Sequence, residues 1–187
     1  MREQFSLNLL GDFAVYRGMR PIILPPSCQR VVALAALKRR RLHRTWVCAT
    51  LWPYAPPAKA SASLRSALWR LRPLGAEPLL DLDAGSIGLA PNVSVDWYHA
   101  TDALTGALGG ARRDAHSPAP SASAELLDGW PDPWCVHERR RFQAMRVAVE
   151  NRLATMPETR VAGYPCGTAA HDHNVDIVRS TNDQSEP

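Results

Sequence analysis

No stretch of this sequence approaches the eighteen consecutive apolar residues of a membrane span. The opening Met1-Arg2-Glu3-Gln4-Phe5 runs straight into alternating residues without the apolar core of a signal peptide, so a cytoplasmic, nucleoid-associated location is expected. Cysteine is scarce. The four residues, at positions 28, 48, 135 and 166, form no CxxC and no regular framework, which points to reduced, buried thiols rather than disulfides. No Walker loop, GxSxG or HExxH occurs, and Asp81, Asp83 and Asp96 have no partner base, so no catalytic residue is expected. Cys135-Val136-His137 and His171-Asp172-His173 lie in unlike contexts and make no closed four-ligand set, so neither metal nor cofactor is expected. What is present is the composition of a folded chain: 45% of the 187 residues are hydrophobic and 21% charged, enough for one ordinary domain or two small ones.

The net charge of +4 conceals a strong asymmetry. Residues 1–75 hold thirteen Lys and Arg against two acids, a net +11, and residues 76–187 hold nine against sixteen, a net −7. A basic module followed by an acidic remainder suggests one half that binds a polyanion and one with another task.

Phe5, Leu7 and Leu9 alternate with Ser6 and Asn8, the period of a half-buried strand. Phe13 and Val15, then Ile22-Ile23-Leu24 after the Arg17-Gly18 turn, complete a small antiparallel sheet of three short strands. Pro25-Pro26-Ser27 opens a helix with Ser27 as expected N-cap and Val31, Leu34, Ala35 and Lys38 at helical spacing. The run Lys38-Arg39-Arg40-Arg41 closes it. A short helix over 45–52 stops at Pro53, and a third over 58–72 ends at Pro73 and Gly75. Leu79–Leu82 and Ile87–Leu89 flank a Gly-containing turn and predict a hairpin. A helix over 97–108 follows, then a Gly-, Ser-, Pro- and Ala-rich linker over 109–124 and a long helix over 138–156 with Phe142, Met145, Val149 and Leu153 on one face. Residues 157–187 lose periodicity and are expected to form a poorly ordered tail.

On the third helix, Ala60, Leu64, Ala67, Leu68 and Leu71 share one face, and Lys59, Ala62, Arg65, Ser66, Trp69 and Arg70 lie on or beside the other. An apolar stripe to anchor the helix and an opposite stripe of Arg, Lys and small polar residues is what major-groove reading requires, since Arg can donate two hydrogen bonds to guanine. Trp69 is the exception and is expected to pack under a neighbouring wing or domain. Arg39, Arg40, Arg41 and Arg44, with His43, are expected to hold phosphate between the first two helices.

Several blocks resemble the SARP-type transcriptional activators of actinobacteria. These are Leu9-Leu10-Gly11-Asp12-Phe13, Leu24-Pro25-Pro26, residues 29–37, Leu51-Trp52-Pro53 and the run Ser63-Leu64-Arg65-Ser66-Ala67-Leu68-Trp69-Arg70-Leu71-Arg72. The resemblance implies an α+β fold. Residues 1–95 would be an OmpR-like winged helix (small antiparallel sheet, three helices, C-terminal hairpin wing). Val95-Asp96 and residues 126–142, including Trp130 and Trp134, are similar to the start of the bacterial transcriptional activator domain. Residues 96–156 would then be a short, truncated all-α TPR-like fragment of it.

The function implied is binding to double-stranded promoter DNA, often at direct repeats where a homodimer could form, with recruitment of RNA polymerase and no membrane partner. Lys59, Arg65, Ser66 and Arg70 are the implied DNA contacts, with Arg72 nearer the backbone or wing. This chain departs from the family in its hairpin, which carries Asp81 and Asp83 and no Lys or Arg, and at Pro131 and Pro133, where relatives commonly have Tyr and Asp. Two other readings of the same residues are a protein–protein adaptor working through Trp130 and Trp134, and a degenerate relative without function.

Overall fold

The structure is a computed structural model that describes residues 4–109 and 124–155. The expected tail, most of the expected linker, Cys166, the His171–His173 cluster and the side chain of Leu153 lie outside the described residues. In chain order the elements are β1 (Phe5–Asn8), β2 (Ala14–Arg17), β3 (Arg20–Ile22), α1 (Pro26–Lys38), β4 (Leu42–His43) and α2 (Arg44–Leu51). They continue with α3 (Pro57–Leu71), β5 (Leu80–Leu82), β6 (Ser86–Leu89), β7 (Val93–Val95), α4 (Asp96–Leu108) and α5 (Pro133–Thr155).

Helix α1 has almost no solvent face. Cys28 and every residue from Val31 to Leu37 are buried, so its neighbours must cover it on all sides. Its start corrects one expectation: Pro25 is the N-cap, Pro26 the first helical residue, and no side chain caps the helix. The fixed φ of proline and its missing N–H suit that position and leave Ser27 one place too late to cap. Pro57 opens α3 and Pro133 opens α5 in the same way, the latter five residues before the expected start.

The N-terminal sheet has the order β3-β2-β1-β7, with β1 antiparallel to β2 and parallel to β7. It is therefore four-stranded and mixed, where three antiparallel strands were expected. Phe5 and Leu7 face the core and Ser6 and Asn8 the other side, and Val93 and Val95 repeat this alternation in β7. A second sheet, β4-β6-β5, forms the wing: the expected hairpin of β5 and β6 acquires a third strand from the two residues before α2.

Gly75 closes α3. Its φ of +64° suits glycine, and a Cβ there would sit 2.9 Å from a guanidinium nitrogen of Arg17, which donates to the Gly75 carbonyl at 2.6 Å. The end of the third helix is thereby tied to β2.

The second half packs onto the first at several points. Residues 125–128 lie along the β1–β2 connection, with Gly11 N–H donating to Glu125 O at 2.7 Å and Leu127 N–H to Leu9 O at 2.7 Å. Arg139 donates to the carbonyls of Leu126 (2.9 Å) and Leu127, fixing a turn in which buried Leu127 adopts a φ of +49°. Trp130 packs against Phe13 and edge-on to Trp134. Lys38 pairs with buried Glu138 at 3.0 Å and Arg30 with Asp132 at 2.5 Å, so the second turn and the C-terminal end of α1 are bonded to α5 or the residue before it. Phe142 and Val149 are buried on the expected face of α5 and Met145 is partly buried against the core.

Asp96 makes a three-bond junction. Its carboxylate accepts from Leu9 N–H (2.8 Å), Leu10 N–H (3.1 Å) and Trp97 N–H (2.6 Å), joining the end of β1 to the start of α4. Asp96→Ala leaves those donors without their acceptor and is expected to cost about 2–4 kcal/mol. Urea denaturation followed by circular dichroism measures this; a loss below about 0.5 kcal/mol would show the junction to be dispensable.

Candidate nucleic-acid interface

The face of α3 is set by the spacing of its apolar residues. Ala60, Leu64, Ala67 and Leu71 are buried at successive turns, and Ala58, Lys59, Ala62, Arg65, Ser66, Trp69 and Arg70 are exposed. The helix carries three cations and no acid. Cys28 of α1 donates through its thiol to the Ala67 carbonyl at 3.2 Å, holding the buried side of α3 on the central helix. Arg65 donates to Ser61 Oγ one turn back at 3.0 Å, while Lys59 and Arg70 make no hydrogen bond or ion pair among the described residues. The four residues expected from sequence on this face therefore share one solvent-facing stripe.

Trp69 belongs to the same stripe. Its residue is 68% exposed, so it does not pack beneath the wing or a neighbouring segment as expected. Positions 62, 65, 66 and 69 recur at three- and four-residue steps, which already placed Trp69 opposite the buried face. The general preference of tryptophan for buried sites gave the wrong answer.

The basic run after α1 does not form one patch. Arg39 takes a left-handed conformation at the end of α1 and turns to α4. There it pairs with Asp102 at 3.0 Å, donates to Thr101 Oγ at 3.1 Å, and lies over the Tyr98 ring at 3.9 Å. Arg41 turns to the wing, pairing with Asp81 and, at 2.7 Å, with Asp83, and donating to Ser86 Oγ at 2.9 Å. Arg44, first residue of α2, donates to the Asp83 carbonyl at 2.8 Å and lines the groove of about 600 Å³ between α2 and α3 together with Ser61. Arg40 is exposed, without a hydrogen bond or ion pair among the described residues. Arg72, just beyond α3, pairs with Glu77 at 2.9 Å. No sequence signal marks the pairing of Arg41 with the wing, because its partners lie forty or more residues away.

Among the described residues no group of three His, Cys, Asp or Glu side chains is placed to hold a metal ion. Cys28, Cys48 and Cys135 are free and buried, and burial pushes each thiol above its usual titration range. No helix among the described residues is long and apolar enough to cross a membrane. Trp130 and Trp134, the residues that suggested an adaptor surface, are partly buried against the core.

The wing turn has one strongly perturbed carboxyl. Asp83 accepts from the Ser86 hydroxyl (2.8 Å), Gly85 N–H (2.8 Å) and Ser86 N–H (2.6 Å), with Arg41 adding its charge. These bonds favour the ionised form and lower its pKa from 3.8 to about 2. A carboxyl depressed on folding stabilises the turn at any pH above 3.8, and that contribution is lost as pH falls through about 2. Ser86→Ala removes the largest cause and is expected to move the Asp83 titration back toward 3.8. Carboxyl-carbon NMR titration reads this directly, and an unchanged midpoint would assign the shift elsewhere.

No protein-family model matches the sequence, and no curated protein matches it. Among solved structures the chain is similar to Mycobacterium tuberculosis EmbR, determined in complex with a low-affinity phosphopeptide, with a TM-score of 0.50 and 21% identity. The likeness covers 81% of this chain and 43% of that one, so the chain spans less than half the length of the structure it matches. At this identity the likeness is one of fold, and it supports a winged-helix-like α+β architecture for the chain.

Proposed function

We propose that this chain is a sequence-specific, duplex-DNA-binding regulator of transcription that reads the major groove with α3. The observation that carries the proposal is the exposed stripe of that helix: Lys59, Ala62, Arg65, Ser66, Trp69 and Arg70 face solvent together, with no acid among them. Arg65 and Arg70 are assigned to base edges, where a guanidinium fork meets the two acceptors of guanine. Lys59 and Ser66 are assigned to phosphate or sugar, with Arg44 and Arg40 as flanking phosphate contacts. Trp69 and Ala62 present apolar surface suited to thymine methyl groups. Promoter activation through RNA polymerase, and pairing of two copies on direct repeats, belong to the same proposal and rest on the family resemblance alone.

The test is titration of the purified chain into the duplex upstream of its own gene and into a scrambled duplex, at low and near-physiological salt. A specific regulator with its operator there prefers its own duplex by about a thousandfold or more. Equal affinity for both, vanishing with salt, would leave only phosphate attraction and defeat the proposal for that operator. Arg65→Ala and Arg70→Ala are each expected to weaken the cognate complex by about 10- to 100-fold and relax base preference. Lys59→Ala should weaken both duplexes alike and flatten the salt dependence by about one unit of slope. Trp69→Ala should weaken the cognate complex with its salt dependence unchanged.

A further inference from the structure

The wing turn carries two acids and lies against Arg44, one of the proposed phosphate contacts. Asp81 and Asp83 are about half exposed, and between them they hold the Arg41 guanidinium. Each of its three nitrogens has a wing acceptor: Nε donates to Ser86 Oγ, Nη1 to Asp81 and Nη2 to Asp83. Arg44 binds the same turn through the Asp83 carbonyl and also lines the groove shared with Ser61 of α3, so one side chain links the turn to that groove. Two cations therefore meet two acids at this place, and the local charge is near zero inside residues 1–95, whose net charge is +8.

We infer that Asp81 and Asp83 form a clamp that withholds Arg41 from the DNA backbone and thereby lowers the affinity of the domain for unrelated sequence. This rests on the DNA-binding proposal above. A guanidinium engaged by two carboxylates and a hydroxyl has to break those bonds before it can meet a phosphate. Binding to unrelated DNA is almost wholly phosphate attraction and takes the full effect of a withheld cation, whereas contacts of α3 with base edges do not depend on it. Exposed ion pairs are individually weak, so the clamp is a bias that a few substitutions can reverse.

The experiment compares four full-length proteins binding a scrambled duplex across a salt series: wild type, Asp81→Asn/Asp83→Asn, Arg41→Ala, and the triple variant. Asparagine keeps the size of the acids, and at position 83 its carbonyl oxygen can still accept from Gly85 and Ser86. The double variant is expected to bind the scrambled duplex about tenfold more tightly at low salt, the scale of one new charge-assisted hydrogen bond to phosphate. Its plot of log affinity against log salt should steepen by about 0.9, one phosphate neutralised. Arg41→Ala is expected to change wild-type binding less than about twofold, and the triple variant to lose the whole increase.

An unchanged double variant overturns the clamp. So does an increase that survives in the triple variant, because the acids then act by their own charge. If the double variant does not fold, Asp81→Asn decides, since it leaves the Asp83 turn intact; binding tightened about threefold supports the clamp and unchanged binding overturns it. A wild type that binds no duplex at any salt defeats the DNA-binding proposal itself. A wild type that prefers its own duplex, with all four proteins alike on scrambled DNA, defeats the clamp alone.

Discussion

A helix with almost no solvent face dictates most of this architecture. Residues 31–37 are apolar and buried without a break, so α1 is stable only when covered from every direction. The N-terminal sheet, α2 and α3, and the wing supply part of that cover. The remainder comes from α4 and α5: the Tyr98 hydroxyl donates to the Ala36 carbonyl at 2.6 Å, and Glu138 takes the Lys38 ammonium at the end of α1. The helices after residue 95 therefore complete the core of the module before them. Asp96 joins the two across the end of β1, and Leu9 offers its N–H to Asp96 and its carbonyl to Leu127.

The electrostatics follow the same division of labour. A net +11 over residues 1–75 suggests a uniformly basic surface, and the structure shows otherwise. Arg30, Lys38 and Arg39 are turned to acids of the second half, Arg41 to the wing and Arg72 to Glu77. The cations left facing solvent without an ion pair include Lys59, Arg65 and Arg70, all on α3. Ion pairs thus neutralise part of the basic charge of residues 1–75 and leave the cations of α3 unpaired among the described residues, together with Arg20 and Arg40. The acidic excess of the second half serves partly as counter-charge to the first.

Much of this was legible along the chain, where the signal is local. The helix over 97–108, the two strands of the wing and the boundaries of α2 and α3 emerge within a residue or two of expectation, because proline stops and apolar spacing act over a few positions. The stripe of α3 was legible for the same reason, down to the angle of Trp69. What sequence did not disclose is non-local. The pairing of β7 with β1 joins segments separated by the whole winged-helix core. Likewise, Arg41 looks like a phosphate ligand until the hairpin folds back onto it. The continuous burial of α1 was hidden differently: residues at helical spacing suggested one apolar face, and the small alanines between them gave no periodic sign that the other side was covered too.

The proline starts of α1, α3 and α5 carry a consequence for the chain before it folds. A side-chain cap stabilises a helix end only once the turn beneath it exists, and it depends on the ionisation or orientation of the capping group. Proline instead narrows φ in the unfolded ensemble, so part of the conformational entropy of those turns is absent from the outset. The stability it confers is carried by the reference state. The places where these three helices begin are written into the covalent chain, independent of protonation and of ionic strength.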